Sequence, residues 1–285
     1  MKILKKRHLI WVIPLAIILF INLAGCFQFR TSDRKLTKQL GAKKIIPHFH
    51  NYTDSNQVIH YWDVPNPGKP LIMFVHGSPG SSTALLNIAT DSIVTANAQI
   101  LLVDRPGFGY SGFGKGEKSL ARQSEMLNGI LKLYPQKRKI LVGHSLGGPL
   151  IAKMAIDNPH GIESLVILAG SIDPELEPQE WHRKLIGNNL IRWMVPKSFR
   201  ASNDEIITLK ADLEKMIPDW KKIKIPVVVI QGTKDGFVPK ENADFAKKML
   251  TNAKVKVRML PGESHFFPFT KPEIVVEELI LLLNK

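Results

Sequence analysis

A single cysteine, Cys26, stands in the 285 residues. The chain therefore has no internal disulfide, and its fold must rest on buried apolar side chains. Internal repeats and low-complexity stretches are absent as well, which excludes solenoids and disordered arrays. No cluster of histidine, cysteine and acid has metal-ligand spacing. His48 and His50 would share one face of a strand, but without a matching ligand set they read as part of a solvated segment. Phosphate loops and dinucleotide fingerprints are missing too, since Gly107-Phe108-Gly109 precedes no helix at the needed spacing. Neither a metal nor a cofactor is expected. The formal net charge is +14, yet no nucleic-acid-binding motif accompanies it, so nucleic acid is not an expected partner.

What is present is enough apolar material for one large core: 44% of residues are hydrophobic. Apolar runs that read as strands include Val58–Trp62, Leu71–Val75, Gln99–Val103, Lys139–Val142, Glu163–Leu168, Ile225–Ile230 and Ala253–Leu260. Helical patterns over Glu117–Leu133 and Gly148–Asn158 fall between them. This alternation predicts an α/β fold: a mostly parallel central sheet with helices on both faces. The rhythm breaks at about 172–222, between the sixth and seventh core strands. Helical patterns near Glu180–Met194 and Asp204–Met216 predict a small helical cap inserted there. Trp181, Trp193 and Trp220, with Leu185, Ile186, Met194 and Met216, would supply an apolar pocket wall. Such a cap, joining two adjacent core elements, is expected to be removable at roughly Pro174–Asp219 without loss of the core.

The chemistry is legible at Gly143-His144-Ser145-Leu146-Gly147. A strand ends at this pentapeptide and a helix begins after it, so G-x-S-x-G here predicts a nucleophile elbow. The serine backbone is strained in such a turn, and strand and helix pack too closely for anything but small residues at Gly143 and Gly147. A serine hydroxyl needs a histidine base and an orienting carboxylate. His265 follows the last strand in the loop Pro261–Phe267, and Asp235 follows the Ile225–Gly232 run. Asp173, just after the sixth strand, is the rival for the acid. Two N–H donors must also face the developing oxyanion. Leu146, after the serine, and Ser78, in His76-Gly77-Ser78-Pro79-Gly80, are the candidates, with His76 as a structural hydrogen-bonding residue.

Five segments in order resemble the α/β-hydrolase superfamily: His76–Gly80, Asp104-Arg105-Pro106-Gly107-Phe108-Gly109-Tyr110-Ser111, Gly143–Gly148, Gly232–Asp235 and Gly262–His265. They look most like its capped branch, which includes epoxide hydrolases and carbon–carbon hydrolases. The resemblance spans roughly residues 51–285 and implies the order Ser145, Asp235, His265 for the triad. Epoxide hydrolases and haloalkane dehalogenases of that branch use an aspartate nucleophile. Ser145 in that place implies instead a serine-bound acyl intermediate. Cofactor-free haloperoxidases carry the same kind of triad.

The amino terminus points to export. Lys2, Lys5, Lys6 and Arg7 precede an apolar run from Leu9 to Ile21, shorter than the roughly 20 residues of a spanning helix. Leu23-Ala24-Gly25-Cys26 resembles a bacterial lipobox, which implies a signal peptide over residues 1–25 and lipid attachment at Cys26. The other reading is an uncleaved anchor through Phe27. Cleavage before Cys26 removes four basic residues and no acid, leaving a formal charge of +10. Residues 26–50 then form a basic tether, with Arg30, Arg34, Lys35, Lys38, Lys43 and Lys44 against Asp33, suited to anionic headgroups. Two functions are thus in play. One is a membrane-tethered serine hydrolase acting on a small-molecule acyl substrate, with a carboxylesterase leading. The other is a non-catalytic lipoprotein that binds an apolar ligand in the same fold.

Overall fold

A computed structural model describes residues 27–134, 138–178, 181–188 and 192–284. The expected signal segment, residues 1–25, and Cys26 lie outside the described residues. Eight strands form one sheet in the order β1-β2-β4-β3-β5-β6-β7-β8: β1 His48–Asp54, β2 Gln57–Val64, β3 Leu71–Val75, β4 Gln99–Val103, β5 Lys139–His144, β6 Ser164–Leu168, β7 Val227–Gly232 and β8 Val255–Leu260. The β1–β2 and β2–β4 pairs are antiparallel. All pairings from β4 through β8 are parallel. The chain has the α/β-hydrolase fold expected from its motifs. The central strands β3, β4, β5 and β6 are buried at every position. That is why they read as continuous apolar runs: a parallel strand is covered on both faces.

Two apolar layers fill the two sides of the sheet. One packs beneath helices at Leu120–Lys132 and Gly147–Asp157, and the other beneath Pro272–Leu283. In chain order the helices are α1 Asp33–Gly41, α2 Leu86–Ala89, α3 Ser92–Asn97, α4 Leu120–Lys132, α5 Gly147–Asp157, α6 His182–Gly187, α7 Lys197–Met216, α8 Asn242–Met249, α9 Phe267–Thr270 and α10 Pro272–Leu283. Among the described residues no helix is long and apolar enough to cross a membrane.

Two features differ from the expectations. The stretch expected as a tether carries α1, capped by the Ser32 hydroxyl accepting from the Lys35 N–H. Its Leu36 and Leu40 are buried in the layer beside Trp62, so the folded unit begins upstream of residue 51. His48 and His50 stand on β1, a solvent-facing edge strand with no buried residue, as the solvated reading expected; His50 bonds Asp63 at 2.8 Å.

The cap differs most. It lies between β6 and β7 as expected, with short 3-10 turns at Pro174–Leu176 and Ile217–Lys222 flanking α6 and α7. It does not, however, line a pocket with three tryptophans. Trp220 is fully buried in the core with Leu209, Leu213 and Met216, whereas Trp181 is 75% and Trp193 67% exposed. Helix α7 is thus a wall of the core. The Asp212 carboxylate accepts the Leu120 N–H at the start of α4 at 2.8 Å, and the Thr208 hydroxyl donates to the Lys118 carbonyl at 2.6 Å. Excising the whole insertion would expose the apolar layer under α4 and α5, so the cap is not the removable lid that its sequence position suggested.

Candidate active site

Ser145 has φ 55, in the left-handed region that a residue with a side chain seldom occupies. Its N–H donates to the Leu168 carbonyl at 2.9 Å and its own carbonyl accepts the Gly148 N–H at 2.8 Å, so the turn is held from both sides. A Cβ at Gly143 would lie 2.2 Å from the Gly147 oxygen, and one at Gly147 would lie 2.4 Å from the Val75 oxygen. Both distances are far inside contact, which is the steric reason for glycine two positions either side of the serine. Gly77 makes a third close approach: a Cβ there would stand 2.9 Å from the Ser145 Cβ. The loop after β3 therefore passes directly against the serine.

The structure brings His265 and Asp235 together. The His265 Nδ1 lies 2.8 Å from the Asp235 Oδ2, and the Asp235 side chain is fully buried. Burial alone would raise that carboxyl. The hydrogen bond from His265, with the N–H groups of Val238 and Phe237, outweighs it and holds Asp235 below the ordinary carboxylate range. Asp173 is elsewhere engaged: its carboxylate accepts the Glu175 N–H at 2.9 Å and caps the 3-10 turn. The His265 loop is tied to the serine turn through His144, whose Nε2 donates to the His265 carbonyl at 3.1 Å. Burial, aided by repulsion from His265, drives the His144 pKa down to about 3, so this ring is neutral and a fixed donor. Phe237 and Phe266 flank the His265 ring, with centroids 5.5 and 5.7 Å away.

The Ser145 hydroxyl makes no hydrogen bond among the described residues. The backbone N–H groups of Ser78 and Leu146 also donate to no other group among the described residues. Unpaired N–H groups in a partly buried setting are uncommon, and here both belong to residues next to the Ser145 contact: Leu146 follows it in sequence, and Ser78 follows Gly77.

The most heavily built part of the site was not visible in the sequence. Arg105, fully buried, pairs through both terminal nitrogens with Glu205 of α7, itself only 2% exposed, at 2.6 and 2.9 Å. The same guanidinium donates to the carbonyls of His76 at 2.9 Å and Gly77 at 3.0 Å, and to Gln123 at 3.0 Å. The cap helix is thereby bonded to the peptides that precede Ser78. His76 completes the cradle: its Nδ1 donates to the Gly77 carbonyl at 2.7 Å and its Nε2 accepts the Arg105 N–H at 3.0 Å. Burial and the neighbouring Arg105 charge lower the His76 pKa to about 3, so the ring is neutral, and its one lone pair, on Nε2, is taken up by the Arg105 N–H. Glu205 lies 100 residues from Arg105, and no local pattern marks it. The only signal was Arg105 itself, an obligate cation inside an apolar-flanked turn that must find an acid somewhere.

Asp104 organises the rest of that turn. It accepts the N–H groups of Ser82 at 2.6 Å and Tyr110 at 2.9 Å and bonds the His60 Nδ1 at 3.0 Å. A separate groove of about 830 Å³ runs between Lys43–Ile46 and α3; none of the candidate catalytic residues lines it.

Residues 70–193 match a family model described as alpha/beta hydrolase fold. Among curated proteins, the chain is 30% identical over 112 residues to a pimeloyl-[acyl-carrier protein] methyl ester esterase of Proteus mirabilis, covering 39% of this chain and 40% of that one. It is 29% identical over 116 residues to a 2-hydroxy-6-oxononadienedioate/2-hydroxy-6-oxononatrienedioate hydrolase of a Pseudomonas species, covering 40% and 41%. These matches thus span about two fifths of either relative. Among solved structures, a membrane phospholipase A superimposes with TM-score 0.66 at 17% identity, covering 98% of both chains. That likeness is one of fold.

Proposed function

We propose that this chain, an α/β-hydrolase in fold, is a membrane-tethered serine hydrolase that cleaves a carboxylic ester or related acyl bond. The observation that carries the reading is the His265–Asp235 pair at 2.8 Å, tied by His144 to the strained turn that presents Ser145. His265 Nε2 takes the Ser145 hydroxyl proton as Oγ attacks the substrate carbonyl carbon. The tetrahedral oxyanion is held by the N–H groups of Ser78 and Leu146. His265 returns the proton to the leaving oxygen, the carbon–oxygen bond breaks, and an acyl group remains on Ser145. A water then attacks the acyl carbon, giving its proton to His265, and the acid departs as the proton returns to Oγ. Asp235 stays ionised throughout and keeps the imidazole in the Nδ1–H tautomer.

Ester cleavage leads because Ser145, and not an aspartate, occupies the elbow. The names of the two relatives, a methyl ester esterase and a 2-hydroxy-6-oxononadienedioate/2-hydroxy-6-oxononatrienedioate hydrolase, support hydrolysis as the reaction class. The tether reading rests on sequence: the basic start, the apolar run Leu9–Ile21 and the lipobox-like residues ending at Cys26. Attachment of a diacylglyceryl group at Cys26 would anchor the chain through two acyl chains, where one holds only marginally. The test is fluorophosphonate labelling of the full chain in detergent, run beside a panel of p-nitrophenyl esters of increasing chain length. Covalent labelling that Ser145→Ala abolishes, with turnover of at least one ester, is expected. Wild-type protein that takes no label and turns over nothing would leave the non-catalytic ligand binder standing. Intact mass of membrane-extracted protein tests the anchor: a species starting at Cys26 with added acyl mass is expected, and an unmodified chain starting at Met1 would make the apolar run an uncleaved anchor.

A further inference from the structure

The first described residues of the chain do not hang free of the cap; they pack on it. Phe27 and Phe29 lie 5.4 and 6.4 Å from the Phe199 ring at the start of α7, both edge-on. The Ser198 hydroxyl donates to the Phe27 carbonyl. Arg30 stacks over Tyr110 at 4.0 Å and Phe113 at 4.9 Å, which pins the segment to the turn after Asp104 as well. The same end of α7 holds the turn before it, since Arg200 donates to the carbonyls of Val195 at 2.6 Å and Trp193 at 2.7 Å. Phe27, Phe29, Trp193 and Met194 are therefore gathered at one corner of the molecule, and each is exposed. Helix α6 is joined to α7 by the Asn203 side chain donating to the Arg183 carbonyl at 3.0 Å. It adds Trp181 and Leu185, exposed and four residues apart, so that they share a helix face.

Exposed tryptophans beside phenylalanines and cations are the composition of an interfacial surface. What decides the occupant is the length of chain that precedes Phe27. The apolar run ends at Ile21, and the intervening residues span at most about 20 Å when fully extended. If that run or a lipid on Cys26 enters a bilayer, the corner of the cap at Phe27 cannot lie farther than that from its surface. We propose that the outer face of the cap, formed by Trp181, Leu185, Trp193 and Met194 with Phe27 and Phe29, docks on an anionic phospholipid bilayer, the one to which the chain is tethered. The inference rests on the tethered reading above and goes beyond it: the cap, whose Ser202 accepts the Ser78 hydroxyl at 2.9 Å beside Ser145, faces the lipid. Arg30, Lys197 and Arg200 near this corner supply the attraction to anionic headgroups.

The experiment uses the full chain carrying Trp11→Phe, reconstituted in phosphatidylcholine–phosphatidylglycerol vesicles. Trp62 and Trp220 are fully buried, so contact quenching by lipids brominated in their acyl chains reports on Trp181 and Trp193. Brominated vesicles are expected to remove the share of emission that Trp181→Ser with Trp193→Ser removes, while the double variant still floats with the vesicles. The double variant is also expected to lose several-fold in rate on an ester carried in the bilayer and to keep its rate on a soluble p-nitrophenyl ester. A chain that floats, but whose exposed tryptophans are quenched only by aqueous iodide, overturns the docking and leaves the tether. A chain that does not float overturns the tether, and the docking with it.

Discussion

The floor of the site and its cap are stabilised in opposite ways. The floor is backbone: Ser145, Asp235 and His265 sit just past the ends of β5, β7 and β8, and sterically obligatory close approaches at Gly143, Gly147 and Gly77 set the serine turn. The cap is side chain. Helix α7 is fastened to the floor by the buried Arg105–Glu205 pair and by Trp220, while α6 and the turn at Trp193 expose their apolar groups. The contrast teaches that the serine turn and the cap are supported by separate sets of contacts, which meet at the Arg105 guanidinium and at the Ser78 hydroxyl, which donates to Ser202 of α7 at 2.9 Å. Trimming the Ser145 hydroxyl or the His265 ring should cost chemistry and little stability, changes to α7 should cost stability, and changes to α6 should cost neither in solution.

The largest expected effect is at the floor. Ser145→Ala should lower ester hydrolysis by about four orders of magnitude or more, His265→Ala by a similar factor, and the two together by no more than either. Thermal melting of Ser145→Ala should match or exceed wild type, because the hydroxyl makes no hydrogen bond among the described residues and its backbone strain is unchanged. Asp235→Asn should lower turnover by about 10⁴ through the wrong tautomer. Retained activity in that variant, with loss in Asp173→Asn, would transfer the acid to the other strand.

Next comes the junction. Glu205→Ala leaves the Arg105 charge buried and unpaired, at a cost of about 3–5 kcal/mol in urea unfolding. It should also lower kcat more than it raises KM, since Arg105 holds the carbonyls of His76 and Gly77. Glu205→Gln keeps acceptor capacity and should lose less of both. If the Glu205→Ala cost fell within 0.5 kcal/mol of zero, the usual range for surface substitutions, α7 would not be the fastened half of the cap.

A smaller effect is expected from His60, where the signs can be worked out. Burial lowers its pKa, but Asp104 and then Asp33 more than compensate, so it ends above the ordinary 6.5. Asp104 moves the other way: burial would raise it, yet His60 and the Ser82 and Tyr110 N–H groups hold it below its ordinary value. A raised histidine stabilises fully below the unfolded pKa and ceases to do so as pH rises through the folded one. A depressed carboxylate stabilises above its unfolded pKa and fails as pH falls through its folded one. The pair therefore contributes most between about pH 4 and 6.5. The stability difference between wild type and His60→Gln should be widest there and shrink above neutrality; a difference that grew with pH would mean that His60 is held neutral. The smallest effect belongs to Trp181→Ser, which should change unfolding free energy by less than about 0.5 kcal/mol, as for other exposed positions.

Much of the floor was legible because its constraints are local or periodic. Leu71–Val75 and Gln99–Val103 are strands over the residues the sequence marked, since a strand buried on both faces is apolar at most of its positions. The serine turn announces itself through Gly143 and Gly147, because no side chain fits there whatever the surrounding fold. The α1 packing was harder to see: Leu36 and Leu40 are one helical turn apart but sit among basic residues, so charge concealed a short apolar stripe. Helix α4 begins at Leu120 and not Glu117 because Ser119 caps it.

Seven of the eight strands, the strand ends where Ser145, Asp235 and His265 sit, and the place of the insertion are written in local sequence; the edge strand β1, polar and solvent-facing, is not. Steric exclusion and hydrophobic periodicity act over a few residues and leave their mark in every short window. Long-range packing alone settles which half of the cap is core and which is surface, and which acid receives Arg105. Trp181, Trp193 and Trp220 are the same residue type at similar local polarity, and what separates them is whether another part of the chain arrives to cover them. The partner of a buried charge is likewise chosen by geometry across 100 residues, a distance over which sequence pattern carries no information and close packing carries all of it.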